Sequence, residues 1–405
     1  MAIQTENAAL VSVLEDKATL LRIHSIRSTS EAGSGHPTSC ASAAEIVSAL
    51  FFSVMRYDPA DPTNPASDVF VLSKGHAAPI LYAAWAEAGF LKIEDLMSLR
   101  KITSDLEGHP TPRLPFVDVA TGSLGQGLSV GVGMALNAKY VDRSDQRIYV
   151  LIGDGESAEG SVWEAAEVAS YYKLNNLCAT IDINRLGQSQ PTMLQHDIET
   201  YQERWRAFGW LPIPVDGHSI PELLEAFDSA ARAADRPTVI LARTLKGKGI
   251  AIAEDREGWH GKALKKGEES ETAIRALEGR LNGTPARWTP NLPPAGSMRR
   301  ETAAPVSLPN PSYAPGEQVA TREAFGAALA ALGQADPRVV WAPRWEWRPR
   351  ARSRLSPLSP ASSPARMISS ASQLSAIPIS SWPGRTPGFR SEKTGRRRWA
   401  WRTWP

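Results

Sequence analysis

Up to about residue 280 the apolar positions change period repeatedly along the chain. Residues 10–26 and 42–55 carry helical spacing; in the second, Ile46, Val47, Leu50, Phe51 and Val54 fall on one face. Short β-branched or apolar runs at 69–73, 148–152, 177–183, 213–215 and 238–242 predict strands, with helical stretches between them. This alternation predicts an α/β fold, a doubly wound and mainly parallel sheet with helices on both faces. Polar, glycine-rich segments follow the strands: Lys74-Gly75-His76, Gly153-Asp154-Gly155, Asn184-Arg185-Leu186-Gly187, Asp216-Gly217-His218 and Lys246-Gly247-Lys248-Gly249. In open parallel sheets ligands bind outside the carboxyl ends of the strands, where helix N-termini and free backbone N–H groups point. One edge of the sheet is therefore expected to hold the chemistry.

Beyond this region the pattern weakens. A helical stretch at 269–281 gives way to a proline-rich segment, so residues 1–282 read as one domain and 283–318 as an interdomain linker. Residues 319–340 read as the start of a second domain, with a helix from Thr321 and a strand at 338–340. The 405 residues are 42% apolar and 22% charged, which excludes wholesale disorder. Two cysteines, Cys40 and Cys178, exclude a disulfide scaffold or a zinc ribbon. No apolar run approaches the ~20 residues of a membrane span, and the N-terminus lacks the basic-then-apolar order of a signal peptide. A cytoplasmic protein without a membrane partner is expected.

The net charge of +2 hides a contrast. Residues 341–405 hold 13 basic and 2 acidic residues, against 32 basic and 41 acidic before them. They also hold 7 of the 13 tryptophans, 12 serines, 9 prolines and none of the 7 histidines. With no helical or alternating apolar face, this tail is expected to be disordered. An abrupt switch in mid-strand suits an out-of-frame reading of GC-rich coding DNA. The rival reading is a basic tail binding nucleic acid through Arg and Trp; the first is preferred, and no nucleic-acid partner is expected.

The strongest chemical signal is a strand–loop–helix–strand unit: 148–152, Gly153-Asp154-Gly155, a helix from about 161 to 173, then 177–183 ending at Asn184. If the two strands are neighbours, the Asp154 and Asn184 side chains meet across ~5 Å. A carboxylate with an amide carbonyl is a hard oxygen pair suited to Mg²⁺, Ca²⁺ or another divalent cation. The glycines flanking Asp154 let a diphosphate approach the backbone. The plain alternative is a tight turn with a capping Asp and an unrelated Asn. Gly125-x-Gly127-x-x-x-Gly131 does not match the dinucleotide fingerprint, which argues against a nicotinamide enzyme.

GDG followed by 28 residues and Asn184 resembles the thiamine-diphosphate signature, and Glu156 to Ala165 resembles the transketolase family in particular. The same holds for Ser34-Gly35-His36-Pro37, Ser73-Lys74-Gly75-His76-Ala77, Glu107-Gly108-His109-Pro110, Thr121-Gly122-Ser123-Leu124-Gly125-Gln126-Gly127, Ile181 to Gln188 and Trp259-His260-Gly261-Lys262. The resemblance spans about 1–340, in family order. It implies transfer of a two-carbon ketol unit from a ketose phosphate to an aldose phosphate through the carbanion of thiamine diphosphate, in the pentose phosphate pathway.

By the same resemblance, Asp154, Asn184 and the Leu186 carbonyl hold the metal on the diphosphate. Ser39, His76, Gly122, Ser123, Leu124, Gly155, Lys246 and His260 join Asp154 and Asn184 in binding the cofactor. His36, His76, His109 and His260 surround the reacting atoms; with ordinary pKa values near ~6.5 they would shuttle protons near neutrality. His24, His196 and His218 are read as structural. The family form is a homodimer, with Glu159 and Glu164 toward the dimer contact. The pyrimidine-binding domain of the family, which carries the activating glutamate, has no counterpart after residue 340, so this chain alone is expected to be inactive. Two other readings stay open: a cofactor-binding subunit of a split transketolase, and a non-catalytic binding protein.

Overall fold

The runs at 148–153 and 177–183 are mostly apolar because both of their faces are covered: every residue in them, Thr180 and Asp182 included, is buried. The computed structural model describes residues 2–283, 288–294, 313–314 and 316–335. Among these, one five-stranded parallel sheet is formed by β1 (Val69–Leu72), β2 (Ile148–Gly153), β3 (Leu177–Ile183), β4 (Leu211–Asp216) and β5 (Thr238–Arg243), in the order β1-β2-β3-β5-β4. All five strands stand where the apolar runs predict them. β4 carries Pro212 and Pro214, and it lies at an edge, where a missing N–H donor is tolerated. Gly153 pairs with Asp182 and Ile183 with Arg243, so the ends of β2, β3 and β5 are brought side by side.

Helices cover both faces: α1 (Ala2–Ala32), α2 (Pro37–Ser42), α3 (Ala44–Ala49), α4 (Ala78–Glu87), α5 (Gln126–Leu136), α6 (Gly160–Tyr171), α7 (Ile198–Ala207), α8 (Ile220–Arg232) and α9 (Glu268–Glu278). Alternate strand residues point to opposite sides. Val71, Val150, Ile181 and Leu241 pack with residues of α5, α6 and α7 in one core, whereas Leu72, Leu151, Cys178 and Ile240 pack with α1, α3, α4 and α8 in the other. In α6 the inward stripe is Val162, Ala165, Ala166 and Ala169, small residues at helical spacing that let the helix approach the sheet closely. After β3 the chain passes to β4 at the edge, and α8 returns it to β5 between β3 and β4. Right-handed crossovers place a helix on the opposite face when the direction of strand addition reverses, as α8 shows.

Two helix expectations need correction. The first helix runs from Ala2 to Ala32, well beyond 10–26 at both ends. Residues 42–55 are not one helix: α2 ends at Ser42, Ala43 turns out of helical geometry (φ −93°, ψ 5°), and α3 widens at Leu50–Val54, closed by Met55 N–H donating to the Leu50 carbonyl at 2.9 Å. The widened turn leaves the Phe51 carbonyl to the Tyr57 hydroxyl, 2.9 Å away. Within the stretch read as a linker, Trp288 Nε1 donates to the Phe52 carbonyl at 2.9 Å, and Tyr57 N–H donates to the Asn291 carbonyl at 2.8 Å. The helix expected from Thr321 is α10 (Thr321–Ala335), which buries no side chain. The strand at 338–340 and the tail 341–405 lie outside the described residues. No helix among the described residues is long and apolar enough to cross a membrane.

Candidate functional site

At the carboxyl edge of the sheet, the turn after β2 buries Asp154 and the end of β3 buries Asn184. Asp154 Oδ2 accepts the Arg185 N–H at 2.7 Å and the Thr192 hydroxyl at 3.3 Å; Oδ1 accepts the Gly155 N–H at 2.9 Å. Burial and the neighbouring Asp182 push its pKa up to about 6, so this carboxylate is short of positive charge. Asn184 Nδ2 donates to Asp182 at 3.3 Å, while its Oδ1 accepts the Leu186 N–H at 3.3 Å. The register sets Asn184 one residue past the position opposite Asp154 rather than directly across from it.

The loop after β5 brings in Lys246, buried, whose Nζ donates to the carbonyls of Leu186 at 2.7 Å and Gly187 at 3.2 Å and meets His260 Nδ1 at 2.9 Å. Burial and the nearby Lys74 lower its pKa to about 8. An ammonium already rests on the Leu186 carbonyl, and among the described residues no cationic side chain is hydrogen-bonded to Asp154. The donor set of carboxylate, amide oxygen and carbonyl therefore fits a hard divalent ion. Beside it, a cleft of about 310 Å³ is lined by Asp154, Gly155, Ser157, Gln190, Tyr201 and Arg204, among others.

Three of the four singled-out histidines converge. The rings of His36 and His76 are 4.9 Å apart, His36 and His260 4.9 Å, and His76 and His260 5.2 Å. His36 precedes the first turn of α2, His76 follows β1, and His260 lies on the loop after β5, three segments that only the sheet brings together. Gly261, at φ 69°, makes the approach possible: a Cβ there would stand 3.3 Å from His36 Nε2. His109 lies against Gly122, whose added Cβ would meet its ring at 3.2 Å. Ser123 and Leu124 are exposed beside it.

The expectation of ordinary histidine pKa values is corrected. Burial and the charges of Arg100, His109, Lys246 and Lys74 lower His36 to about 4, and burial with Lys246 lowers His260 to about 3. His76 falls well below its usual value and His109 is lowered too, in both cases chiefly by burial. Near neutrality these rings are uncharged, each with one donor and one acceptor nitrogen. Two polar atoms in this cluster, His36 Nδ1 and Ser39 Oγ, are buried without a hydrogen-bond partner among the described residues, which marks a place for a polar ligand.

Sequence reasoning missed the groups that hold this edge together. Lys74 and Asp182, both fully buried, form an ion pair across the ends of β1 and β3. Lys74 Nζ also donates to the Ser39 carbonyl at 3.0 Å, and Asp182 accepts the hydroxyls of Ser42 (2.6 Å) and Thr244. Buried Glu156 accepts the N–H groups of Gly125 at 2.9 Å and Gly153 at 3.0 Å and the Ser73 hydroxyl, tying the start of α5 to β1 and β2. Of the three histidines read as structural, His24 pairs with Glu87 at 2.8 Å, and the other two fasten the loop after β5. His196 Nε2 donates to the Thr244 carbonyl, and His218 Nε2 accepts the Leu245 N–H, each at 2.9 Å. His218 must then donate through Nδ1 to Glu45, at 2.9 Å. His218 follows a predicted strand, whereas nothing in the sequence marked His196, and the partners of both are remote in sequence.

Residues 14–279 match the family described as "Transketolase, thiamine diphosphate binding domain". The chain is 53% identical over 342 residues to "Transketolase-like protein 2" of Bos taurus, covering 83% of this chain and 53% of that protein. It is 54% identical over 331 residues to the transketolase of Homo sapiens, covering 82% of this chain and 52% of that protein. The chain thus spans about half the length of the curated relatives it matches. Among solved structures, the Campylobacter jejuni transketolase superposes with a TM-score of 0.61 at 31% identity, over 66% of this chain and 42% of that one. The Leishmania mexicana transketolase does so with a TM-score of 0.61 at 28% identity, over 66% and 41%. With its strands, its Asp154–Asn184 edge and its histidine cluster all lying inside the matched region, this chain belongs to the transketolase family through its thiamine diphosphate binding domain.

Proposed function

We propose that the chain is the diphosphate-binding part of a transketolase, which transfers a two-carbon ketol unit reversibly between sugar phosphates of the pentose phosphate pathway. The observation that carries this reading is one sheet edge that joins the buried oxygens of Asp154, Asn184 and Leu186 to three imidazoles within 5.2 Å of one another. Bound thiamine diphosphate supplies an electron sink for cleavage of the bond beside the ketose carbonyl. Asp154, Asn184 and the Leu186 carbonyl hold the divalent cation, Mg²⁺ in the first place, and Lys246 balances diphosphate charge. Ser39 and His76 offer hydrogen bonds, while Gly122, Ser123, Leu124 and Gly155 give the cofactor backbone to lie against. Neutral His36 and His260 take and return protons at the sugar hydroxyls, and His109 holds the sugar.

Residues 1–282 form the cofactor domain in this reading, and 319–340 begin a pyrimidine-binding domain on which turnover depends. A second copy of the chain is the proposed partner, alongside the sugar phosphates. Val168 and Tyr171 on α6 are 41% and 79% exposed, and Tyr140 is 40% exposed after α5, an apolar face flanked by exposed Glu159 and Glu164. Cys40 and Cys178 are buried free thiols, in keeping with a reducing compartment such as the cytoplasm. Calorimetric titration with Mg²⁺ and thiamine diphosphate tests the core of the proposal. Asp154→Ala is expected to abolish metal-dependent binding while the circular dichroism spectrum is kept; unchanged affinity would remove Asp154 from the site.

A further inference from the structure

Two loops flank the proposed cofactor site, one after β3 (184–194) and one after β5 (244–261), and two ties join them. The first is Lys246 on the carbonyls of Leu186 and Gly187. The second is a two-pronged ion pair: Arg185 Nε donates to Asp255 Oδ1 and Arg185 Nη2 to Oδ2, each at 2.7 Å. Both members sit in the left-handed backbone region, Arg185 at φ 64° and Asp255 at φ 56°. Arg in that region is disfavoured, and such residues persist where the surroundings over-determine them. Here they do. The Arg185 N–H donates to Asp154 Oδ2 at 2.7 Å, the Arg185 carbonyl accepts the Thr192 N–H at 2.8 Å, and the Asp255 N–H donates to the Lys246 carbonyl at 2.8 Å.

We propose that Arg185 and Asp255 are a positioning pair that locks these two loops in one register, so that the Leu186 carbonyl and the Lys246 ammonium face the metal diphosphate together. The inference rests on the cofactor reading above and adds to it two residues outside the proposed contact set. The pair's side chains are 27% and 34% exposed, and a single-pronged bridge so exposed would do little. Parallel N–H···O bonds from a planar guanidinium fix direction as well as distance. Each partner's backbone is also bonded to a site residue, so the side-chain pair sets where Asp154 and Lys246 stand.

Asp255→Asn is the informative change, because Asn tolerates the left-handed backbone and only the charge and one acceptor are lost. Calorimetric titration of the 405-residue chain with Mg²⁺ and thiamine diphosphate should show affinity falling about three- to tenfold in Asp255→Asn and in Arg185→Met. The double variant should lose no more than either single one, and the reversed pair Arg185→Asp/Asp255→Arg should regain most of the affinity. Amide hydrogen exchange provides a ligand-free readout: Thr192 and Asp255 N–H groups should exchange faster in Asp255→Asn, while those of β2 and β3 keep their protection. Wild-type affinity in Asp255→Asn, losses that add in the double variant, or unchanged exchange at Thr192 and Asp255 would overturn the proposal. If the wild-type chain binds no thiamine diphosphate, the cofactor reading fails, and the exchange experiment still decides whether the pair locks the loops.

Discussion

Lys74 and Asp182 pair where neither can reach water, with 1% and 0% of their side chains exposed. Opposite unit charges about 4 Å apart attract by about 4 kcal/mol at an effective dielectric of 20, and removing one partner of a buried pair typically costs about 3–5 kcal/mol. The structure predicts that the two removals are unequal. In Lys74→Met the carboxylate of Asp182 keeps three donors, Ser42, Thr244 and Asn184. In Asp182→Asn the Lys74 ammonium is left buried with no counter-charge and only neutral acceptors, the Ser39 carbonyl and the amide oxygen of the new side chain. Asp182→Asn should therefore lose about 3–5 kcal/mol and Lys74→Met less, about 2–3 kcal/mol.

The pH dependence follows from the direction of the Asp182 shift. Burial works to raise its pKa, but the charge and hydrogen bond of Lys74, together with the hydroxyls of Ser42 and Thr244, hold the group below its ordinary 3.8. A carboxyl whose folded pKa is depressed contributes stability above its unfolded value and loses it as pH falls through the folded one. The gap between wild type and Asp182→Asn should thus be full at pH 7 and narrow only below about 3.8. Urea denaturation followed by far-ultraviolet circular dichroism at several pH values measures it. A loss under 1 kcal/mol at pH 7, or a larger loss for Lys74→Met than for Asp182→Asn, would refute the reasoning.

Glu45 provides a second acid-sensitive tie. Burial would raise its pKa, but Arg22 at 2.5 Å and His218 hold it down to about 2 from 4.5. Glu45→Gln should cost roughly 2–3 kcal/mol at neutral pH, and the same denaturation series should show the cost vanish between about pH 4.5 and 2. In a chain completed with a pyrimidine-binding domain, His260→Ala should lower kcat far more than cofactor affinity, as steady-state kinetics and calorimetry would separate. The pH profile of that completed enzyme should show no half-loss near 6.5 that His36→Gln removes, because His36 stays neutral down to about pH 4.

Local pattern determined much of this protein. Short β-branched or apolar runs mark all five strands, and the runs of β2 and β3 sit where both faces are buried. Turn-forming glycines after those runs mark the carboxyl edge, so Asp154, Asn184, Lys246 and His76 could be assigned to one rim before the strand order was known, whereas His36, His109 and His260 were expected there only from the family resemblance. Those signals lie within a few residues of one another, and period and turn chemistry are local properties. Two helix bounds escaped for a tertiary reason: Ala43 breaks the run at 42–55, and Tyr57 takes up the carbonyl that the widened turn releases.

What only the tertiary structure decided is which charges meet. Lys74 and Asp182 are 108 residues apart, and His218 and Glu45 are 173 apart; nothing in the spacing of either pair announces a contact. The registers of β1 on β2 and of β2 on β3 bring Lys74 beside Asp182, and the packing of α3 with α8 in one core brings Glu45 to the loop that carries His218. Protonation was hidden for the same reason, since a histidine's pKa answers to burial and to cations from other segments. His36, His76 and His260 come from three loops, and their shared burial beside Lys74 and Lys246 keeps them neutral where isolated imidazoles would be partly charged.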